Sequence, residues 1–267
     1  MILKNKDLKL KHKVQIPASK SISNRLLVLQ YLLKIKLNHE ISIQNLASSD
    51  DTQILKKVLS KGFHCSIVDV KNAGTCFRFL TSLFSLISGE VILTGSDEMK
   101  QRPIKELVVA LKSIGAEIQY LEKEGFPPLR IEGTQLTGGK IVIDSSKSSQ
   151  FVTSLLLIAP FLKDGLEIEQ IGEIKSKSYT DMTIFLLKEI GVEMEEKGNN
   201  IKVKPLQKPL VKNIFVESDW SSASYWYQLI SLSPEYSKIQ ILGLKEDSIQ
   251  GDSVIKDLFL QFGIHSY

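Results

Sequence analysis

Five short segments place hydroxyl, cationic and small residues where an apolar stretch begins, and that combination suits the binding of anions. A helix N-terminus offers free backbone N–H groups and the positive end of the helix dipole, so charged donors placed there add to an existing attraction. The first segment is Pro17-Ala18-Ser19-Lys20-Ser21-Ile22-Ser23-Asn24-Arg25, with Lys20 in a hydroxyl-rich start and Arg25 one turn further on. An ordinary serine N-cap with two surface cations would read the same way. The second, Asn72-Ala73-Gly74-Thr75-Cys76-Phe77-Arg78, has Gly74 to let a ligand approach the backbone and Thr75 to cap a following helix, and a plain turn is the alternative. In the third, Met99-Lys100-Gln101-Arg102-Pro103, Arg102 takes the extended backbone that precedes proline, and Pro103 is expected at the first position of a helix. A guanidinium held there grips a carboxylate or phosphate through two parallel hydrogen bonds, unless it is simply solvated. The fourth, Ser145-Ser146-Lys147-Ser148-Ser149-Gln150-Phe151, changes abruptly from polar to apolar, so its polar end is expected to face a cavity. The fifth, Ser176-Lys177-Ser178-Tyr179-Thr180-Asp181, repeats the hydroxyl-plus-lysine theme and adds an aromatic ring that can stack on a flat ligand. Several such ends imply a polyanionic small molecule neutralised by Lys, Arg and helix N-termini.

The elements that carry these ends follow a repeat. A helix-period stretch, a glycine and a short alternating strand recur at residues 54–68 around Gly62, 104–121 around Gly115, 182–194 around Gly191 and 254–265 around Gly263. Each glycine stands where a helix C-cap needs a left-handed residue. The spacing of roughly 50 to 75 residues suits a β-α-β-α-β-β unit and is too long for a small solenoid repeat. Further strands are expected at 41–44, 91–94, 129–132, 140–143, 166–170 and 201–203. Four longer stretches, 21–33, 75–87, 149–162 and 221–232, are apolar nearly all round, which predicts helices surrounded by protein. The fold class expected is mixed α/β (α+β), inside-out, with helices within and sheets outside. The last copy is expected to stop inside its strand.

Composition excludes several classes. The chain has 267 residues, 43% hydrophobic and 24% charged, enough for a sizeable core. A net charge of +4 with Lys and Glu interspersed gives no nucleic-acid stripe, and the basic opening at 4–13 reads as a solvated edge strand. The longest nearly apolar run, 151–162, is well short of the ~20 residues a membrane span needs. The opening has no apolar core of a secretory signal, so a cytoplasmic location is expected. Cys65 and Cys76 read as reduced and mostly buried, and His12, His39, His64 and His265 are scattered, so no metal site is expected.

Taken together and in order, the segments resemble the signatures of the 5-enolpyruvylshikimate-3-phosphate synthases. Residues 17–25 match P-[GA]-S-K-S-x-S-x-R, 72–78 match N-A-G-T-x-x-R, and 100–103 match K-x-R-P. Residues 148–151 match S-S-Q-[FY], 176–181 match S-[KR]-P-Y-x-D apart from Ser178, and 219–225 match D-x-S-S-A-S-[YF]; Gln250-Gly251-Asp252 also has a family counterpart. The sister family of UDP-N-acetylglucosamine carboxyvinyl transferases usually carries G-x-K-N where this chain has Ser19-Lys20-Ser21, and its catalytic cysteine loop has no counterpart here.

The resemblance implies two domains of three units each with a ligand cleft between them. Residues 19–217 would form one complete domain, and 1–18 with 218–267 part of the other. The implied reaction moves the enolpyruvyl group of phosphoenolpyruvate to the 5-hydroxyl of shikimate 3-phosphate and releases phosphate, with no cofactor, a monomeric chain and no nucleic-acid or membrane partner. Lys20 would contact both substrates and act in catalysis. Ser21, Arg25, Ser148, Ser149, Ser176 and Tyr179 would hold shikimate 3-phosphate, Gly74 and Arg102 would line the phosphoenolpyruvate pocket, Gln150 would lie between the ligands, and Arg78 would be structural. The family's general base, an aspartate, and further acidic and basic groups are expected after residue 267, so the chain alone is expected to be catalytically incompetent; a shikimate 3-phosphate-binding fragment without turnover is the other reading. Phe79 stands where many members have proline, and Ser178 replaces the usual proline before tyrosine.

Overall fold

The computed structural model describes residues 11–61, 67–233 and 237–266. The chain runs through β1 (Lys11–Gln15), α1 (Lys20–Leu37), β2 (Ser42–Gln44) and α2 (Asp50–Lys61). Next come β3 (Ile67–Asp69), α3 (Gly74–Leu86), β4 (Gly89–Thr94), the short α4 (Asp97–Lys100), α5 (Lys105–Ser113), β5 (Glu117–Tyr120) and β6 (Leu129–Gly133). Their sheet order is β3-β4-β6-β5, with β3 and β4 parallel and the other pairs antiparallel. β7 (Gly139–Asp144), α6 (Ser149–Ile158), β8 (Leu166–Ile171), α7 (Lys177–Glu189), β9 (Met194–Lys197) and β10 (Asn200–Val203) repeat the plan in the order β7-β8-β10-β9. The unit is the β-α-β-α-β-β arrangement expected from the glycine spacing. Gly115 and Gly191, at φ +101° and +102°, turn the chain from helix to strand in both copies. Gly62, Cys65, His64 and most of the basic opening lie outside the described residues.

A further strand pair draws on two distant parts of the chain. β11 (Asn213–Phe215) pairs in parallel with β2, and α8 (Trp220–Ser231), β12 (Lys238–Leu242) and α9 (Ile255–Leu260) follow, with β12 parallel to β1. The chain therefore crosses twice between the two groups of elements, and the crossing segments are tied together. Ala18 and Ser218 form an antiparallel bridge, the Ser19 N–H donates to the Glu217 carbonyl at 2.9 Å, and the Asp219 N–H donates to the Pro17 carbonyl at 2.9 Å. Helices α1 and α8 both start at this crossing, which fixes the position of each N-terminus.

The sheets alternate buried and exposed residues, while α3 and α6 are enclosed: Cys76 to Leu86 and Phe151 to Ile158 are buried without interruption. Hydroxyls inside these helices would be costly if unpaired. Most find carbonyls or each other: Thr81 bonds to the Phe77 carbonyl, Ser85 to the Thr81 carbonyl, and Ser154 links Ser82 to the Arg78 carbonyl across the α3–α6 contact. The apolar side chains gather in a large core spanning Ala18 to Val216, and a smaller one is built from Ile16, Trp220, Ala223 and Tyr227. Among the described residues no helix is long and apolar enough to cross a membrane.

Three expectations need correction. The helix expected at 149–162 ends at Ile158 and continues as a 3-10 turn from Ala159 to Phe161, because Pro160 has no N–H to extend the α-helical ladder. Helix α8 is not surrounded: it buries Trp220, Ala223 and Tyr227 but leaves Tyr225 74% exposed, and Leu232, its C-cap, is 76% exposed. Helices α1, α3 and α6 pack on one another, whereas the chief neighbours of α8 are β12, α9 and the turn at Gly251–Val254. After Gly263 the chain turns as expected, at φ +76°, but residues 264–266 form no strand. Ile264 instead packs against the smaller core beside Tyr227 and Phe259.

Candidate functional site

Helices α1, α3, α6 and α7 bring the starts singled out above into one neighbourhood. Each start is prepared differently. Ser19 caps α1 by accepting from the Ile22 N–H at 3.4 Å, and Ser148 caps α6 by accepting from the Gln150 N–H at 3.2 Å. The starts of α3 and α7 have no side-chain cap: their N-cap residues are Ala73 and Ser176, the latter left-handed at φ +53°. Their first N–H groups remain available to an anion. Thr75, expected as a cap, lies within α3, and its hydroxyl accepts from Gln150 Nε2 at 3.2 Å, which joins the starts of α3 and α6. Pro103 does not open a helix; α5 begins at Lys105 with Ile104 as N-cap at φ −136°, and the Ile104 N–H donates to the Gly125 carbonyl at 2.9 Å.

Gly74 shows why a side chain is missing there. An added Cβ would lie 2.6 Å from Arg102 Nη1 and 3.1 Å from Arg78 Nη1, so two guanidinium groups flank the start of α3. Arg78 is buried, donates from Nη1 to the Gly74 carbonyl at 2.8 Å, stacks over the Phe151 ring at 5.6 Å and has an unpartnered buried Nε. Burial, and then the charge of Arg102, push its pKa down to about 10. Among the described residues neither arginine lies within salt-bridge distance of a carboxylate. Two adjacent cations at an uncapped helix start, with Glu98 acting on Arg102 only from beyond salt-bridge distance, make a region that favours an anion.

Arg25 joins α1 to α7. Its Nε donates to Thr183 Oγ1 at 2.8 Å, Nη1 to the Ser21 carbonyl at 2.8 Å and Nη2 to the Tyr179 carbonyl at 3.0 Å. The residue is only 3% exposed, and burial pushes its pKa down to about 10. The structure thus brings Arg25, Ser21 and Tyr179 together, and separately Gly74, Arg102 and Gln150. Lys20 is exposed and faces Asp51 of α2, with Nζ 3.7 Å from the carboxylate. Ser149 makes no hydrogen bond to another of these side chains among the described residues. The Tyr179 phenol is half-buried, and its pKa is raised by burial and then by Asp252, with Asp219 adding to the rise and Arg25 opposing it. The smaller core's elements therefore reach this end as well, and Gly251 lies so close to Ser178 that an added Cβ would stand 2.5 Å from the Ser178 Cβ. The sequence singles out neither Asp51 nor Thr183, since an acidic residue in a helix's first turn and a threonine inside a helix have sufficient local explanations, and it marks Phe79, whose ring lies 5.7 Å from the Arg25 guanidinium carbon, only as a departure from proline.

A family model described as EPSP synthase (3-phosphoshikimate 1-carboxyvinyltransferase) matches residues 56–265. The chain belongs to the EPSP synthase family. The 3-phosphoshikimate 1-carboxyvinyltransferase of Bacteroides fragilis is 44% identical over 256 residues, covering 96% of this chain and 60% of that protein. The Pasteurella multocida protein of the same name is 38% identical over 284 residues, covering 94% and 63%. The chain thus spans about three fifths of the length of these curated relatives. Among solved structures, an EPSP synthase from Acinetobacter baumannii superposes with a TM-score of 0.67 at 22% identity, covering 82% of this chain and 53% of that one. The inside-out fold is therefore shared with EPSP synthases.

Proposed function

We propose that this chain binds shikimate 3-phosphate and phosphoenolpyruvate as part of the enzyme that transfers the enolpyruvyl group to the 5-hydroxyl of the former and releases phosphate. The observation that carries this reading is the set of guanidinium groups of Arg25, Arg78 and Arg102, none within salt-bridge distance of a carboxylate among the described residues, at helix starts with free N–H groups. Residues 19–217 serve as the complete domain, and 1–18 with 218–267 as part of its partner; the exposed face of α8 is in keeping with a domain that further chain would complete. Lys20, on its exposed stem, reaches both substrates. Ser21, Arg25, Ser148, Ser149, Ser176 and Tyr179 surround shikimate 3-phosphate, Gly74 and Arg102 the phosphoenolpyruvate, and Gln150 the space between. In the reaction the methylene carbon of phosphoenolpyruvate gains a proton, the substrate hydroxyl adds to the adjacent carbon as it loses its own, and the adduct then sheds phosphate and a methyl proton. Cations that need no reorganisation stabilise the charge that develops on the departing phosphate.

Calorimetry with shikimate 3-phosphate and, separately, UDP-N-acetylglucosamine tests the choice between sister families. Saturable heat from the first and none from the second is expected; the reverse would move the chain to the other family's chemistry. In any preparation that releases phosphate from phosphoenolpyruvate, release is expected to require shikimate 3-phosphate, and equal rates without it would contradict the reading.

The pH dependence of binding follows from the shifted groups. Arg25 and Arg78 titrate near 10 and stay protonated at neutral pH, whereas a phosphate monoester takes its second charge at about pH 6. Affinity for shikimate 3-phosphate should therefore rise several-fold between roughly pH 5 and pH 7.5 and then level off. A fall over that interval would mean that the phosphate does not face these cations.

A further inference from the structure

Arg25 is buried with its full charge, and its three hydrogen-bond acceptors, Thr183 Oγ1 and the carbonyls of Ser21 and Tyr179, are all neutral. The remaining compensation comes from two rings: the guanidinium carbon lies 5.7 Å from the centroid of Phe79 and 5.9 Å from that of Tyr179. An aromatic face attracts a cation, most strongly where water is excluded. Phe79 is 1% exposed and belongs to α3, the helix that starts at Gly74, whereas Tyr179 belongs to α7. A proline at position 79, or a leucine of similar bulk, would fill space there without presenting a π face.

From this geometry we propose that Phe79 is a positioning residue: its ring and that of Tyr179 clamp the Arg25 guanidinium so that the remaining N–H groups are held ready for an anionic ligand, and the clamp ties α3 to the α1–α7 end. The inference rests on the reading of Arg25 as part of the shikimate 3-phosphate site. A merely space-filling Phe79 would act through shape alone; the clamp acts through the charge distribution of the ring.

Two replacements separate these roles. Phe79→Leu removes the ring, and 3,4,5-trifluorophenylalanine introduced at position 79 keeps the shape while weakening the negative face. The readouts are the NMR signal and hydrogen-exchange rate of the Arg25 Nε–H, followed without ligand, and the affinity for shikimate 3-phosphate. Phe79→Leu is expected to speed that exchange at least about tenfold and to weaken binding by about five- to thirty-fold, with the trifluoro variant between it and wild type. Should Phe79→Leu fail to fold, the trifluoro variant alone decides, because it leaves packing intact. An unchanged Arg25 signal together with affinity within twofold of wild type would overturn the inference. A wild-type chain that does not bind shikimate 3-phosphate, but whose Arg25 signal responds to both replacements, would uphold the clamp and overturn the substrate reading.

Discussion

Replacing Arg25 with Ala should lower the affinity for shikimate 3-phosphate by more than about 100-fold while changing the fold's stability by less than about 2 kcal/mol. The two effects separate because of what the guanidinium bonds to. The Ser21 carbonyl is four residues before Arg25 in α1, where it also serves the helical ladder. The Tyr179 carbonyl accepts from Thr183 Oγ1 at 2.9 Å whether or not Arg25 is present. No buried acceptor is therefore left empty, and removing a buried charge relieves its desolvation, which offsets part of the lost packing. The ligand has no such substitute. Calorimetric titration beside a denaturant melt measures both quantities. Equal losses in each would make Arg25 a structural residue only, and unchanged affinity would remove it from the site.

The second large effect concerns the fold. Gly133, at the end of β6, passes so close to the end of α3 that an added Cβ would stand 1.6 Å from the Ile87 carbonyl oxygen and 2.9 Å from that of Phe84. These are backbone atoms, and the neighbouring Thr134 N–H is bonded to the Ser85 carbonyl at 3.1 Å, so the strand cannot back away without uncapping the helix. Gly133→Ala is expected to cost more than about 4 kcal/mol, a large part of the ~5–15 kcal/mol that holds a typical domain. Gly139→Ala supplies the contrast: at φ +113° with no atom within 4 Å of its Cβ, it carries backbone strain alone and should cost about 1–3 kcal/mol. Chemical denaturation of both variants checks the order. A smaller loss at Gly133 than at Gly139 would mean that α3 and β6 do not meet as described.

What the sequence made legible follows from the range of each signal. The helix starts, the glycines that end helices and the enclosed character of α3 and α6 are local or periodic features, and motif order adds specificity that no single segment has. The sequence did not show that α8 would lie open, because its residues are as apolar as those of an enclosed helix, and burial depends on neighbours rather than on the helix itself. Nor did it show that Arg25 would be enclosed. Its partner Thr183 lies 158 positions away, and Phe79 marks its position only as a departure from proline. The Lys20–Asp51 pair is hidden for the same reason, since each residue has a sufficient local explanation in its own helix. The site's cations were visible one by one, but that Arg25, Arg78 and Arg102 stand beyond salt-bridge distance of any carboxylate among the described residues, unlike Lys20, is a property of the assembled fold.

The central claim is that the starts of α1, α6 and α7 together hold shikimate 3-phosphate. Titration of that ligand into the chain, followed residue by residue in 1H–15N spectra, tests it most directly. Saturable shifts concentrated at Lys20, Ser21, Ser149, Gln150 and Tyr179, with the Arg25 Nε–H signal moving in step, are the predicted result. A folded chain whose spectrum stays unchanged at millimolar ligand, or whose shifts gather away from these helix starts, would contradict it.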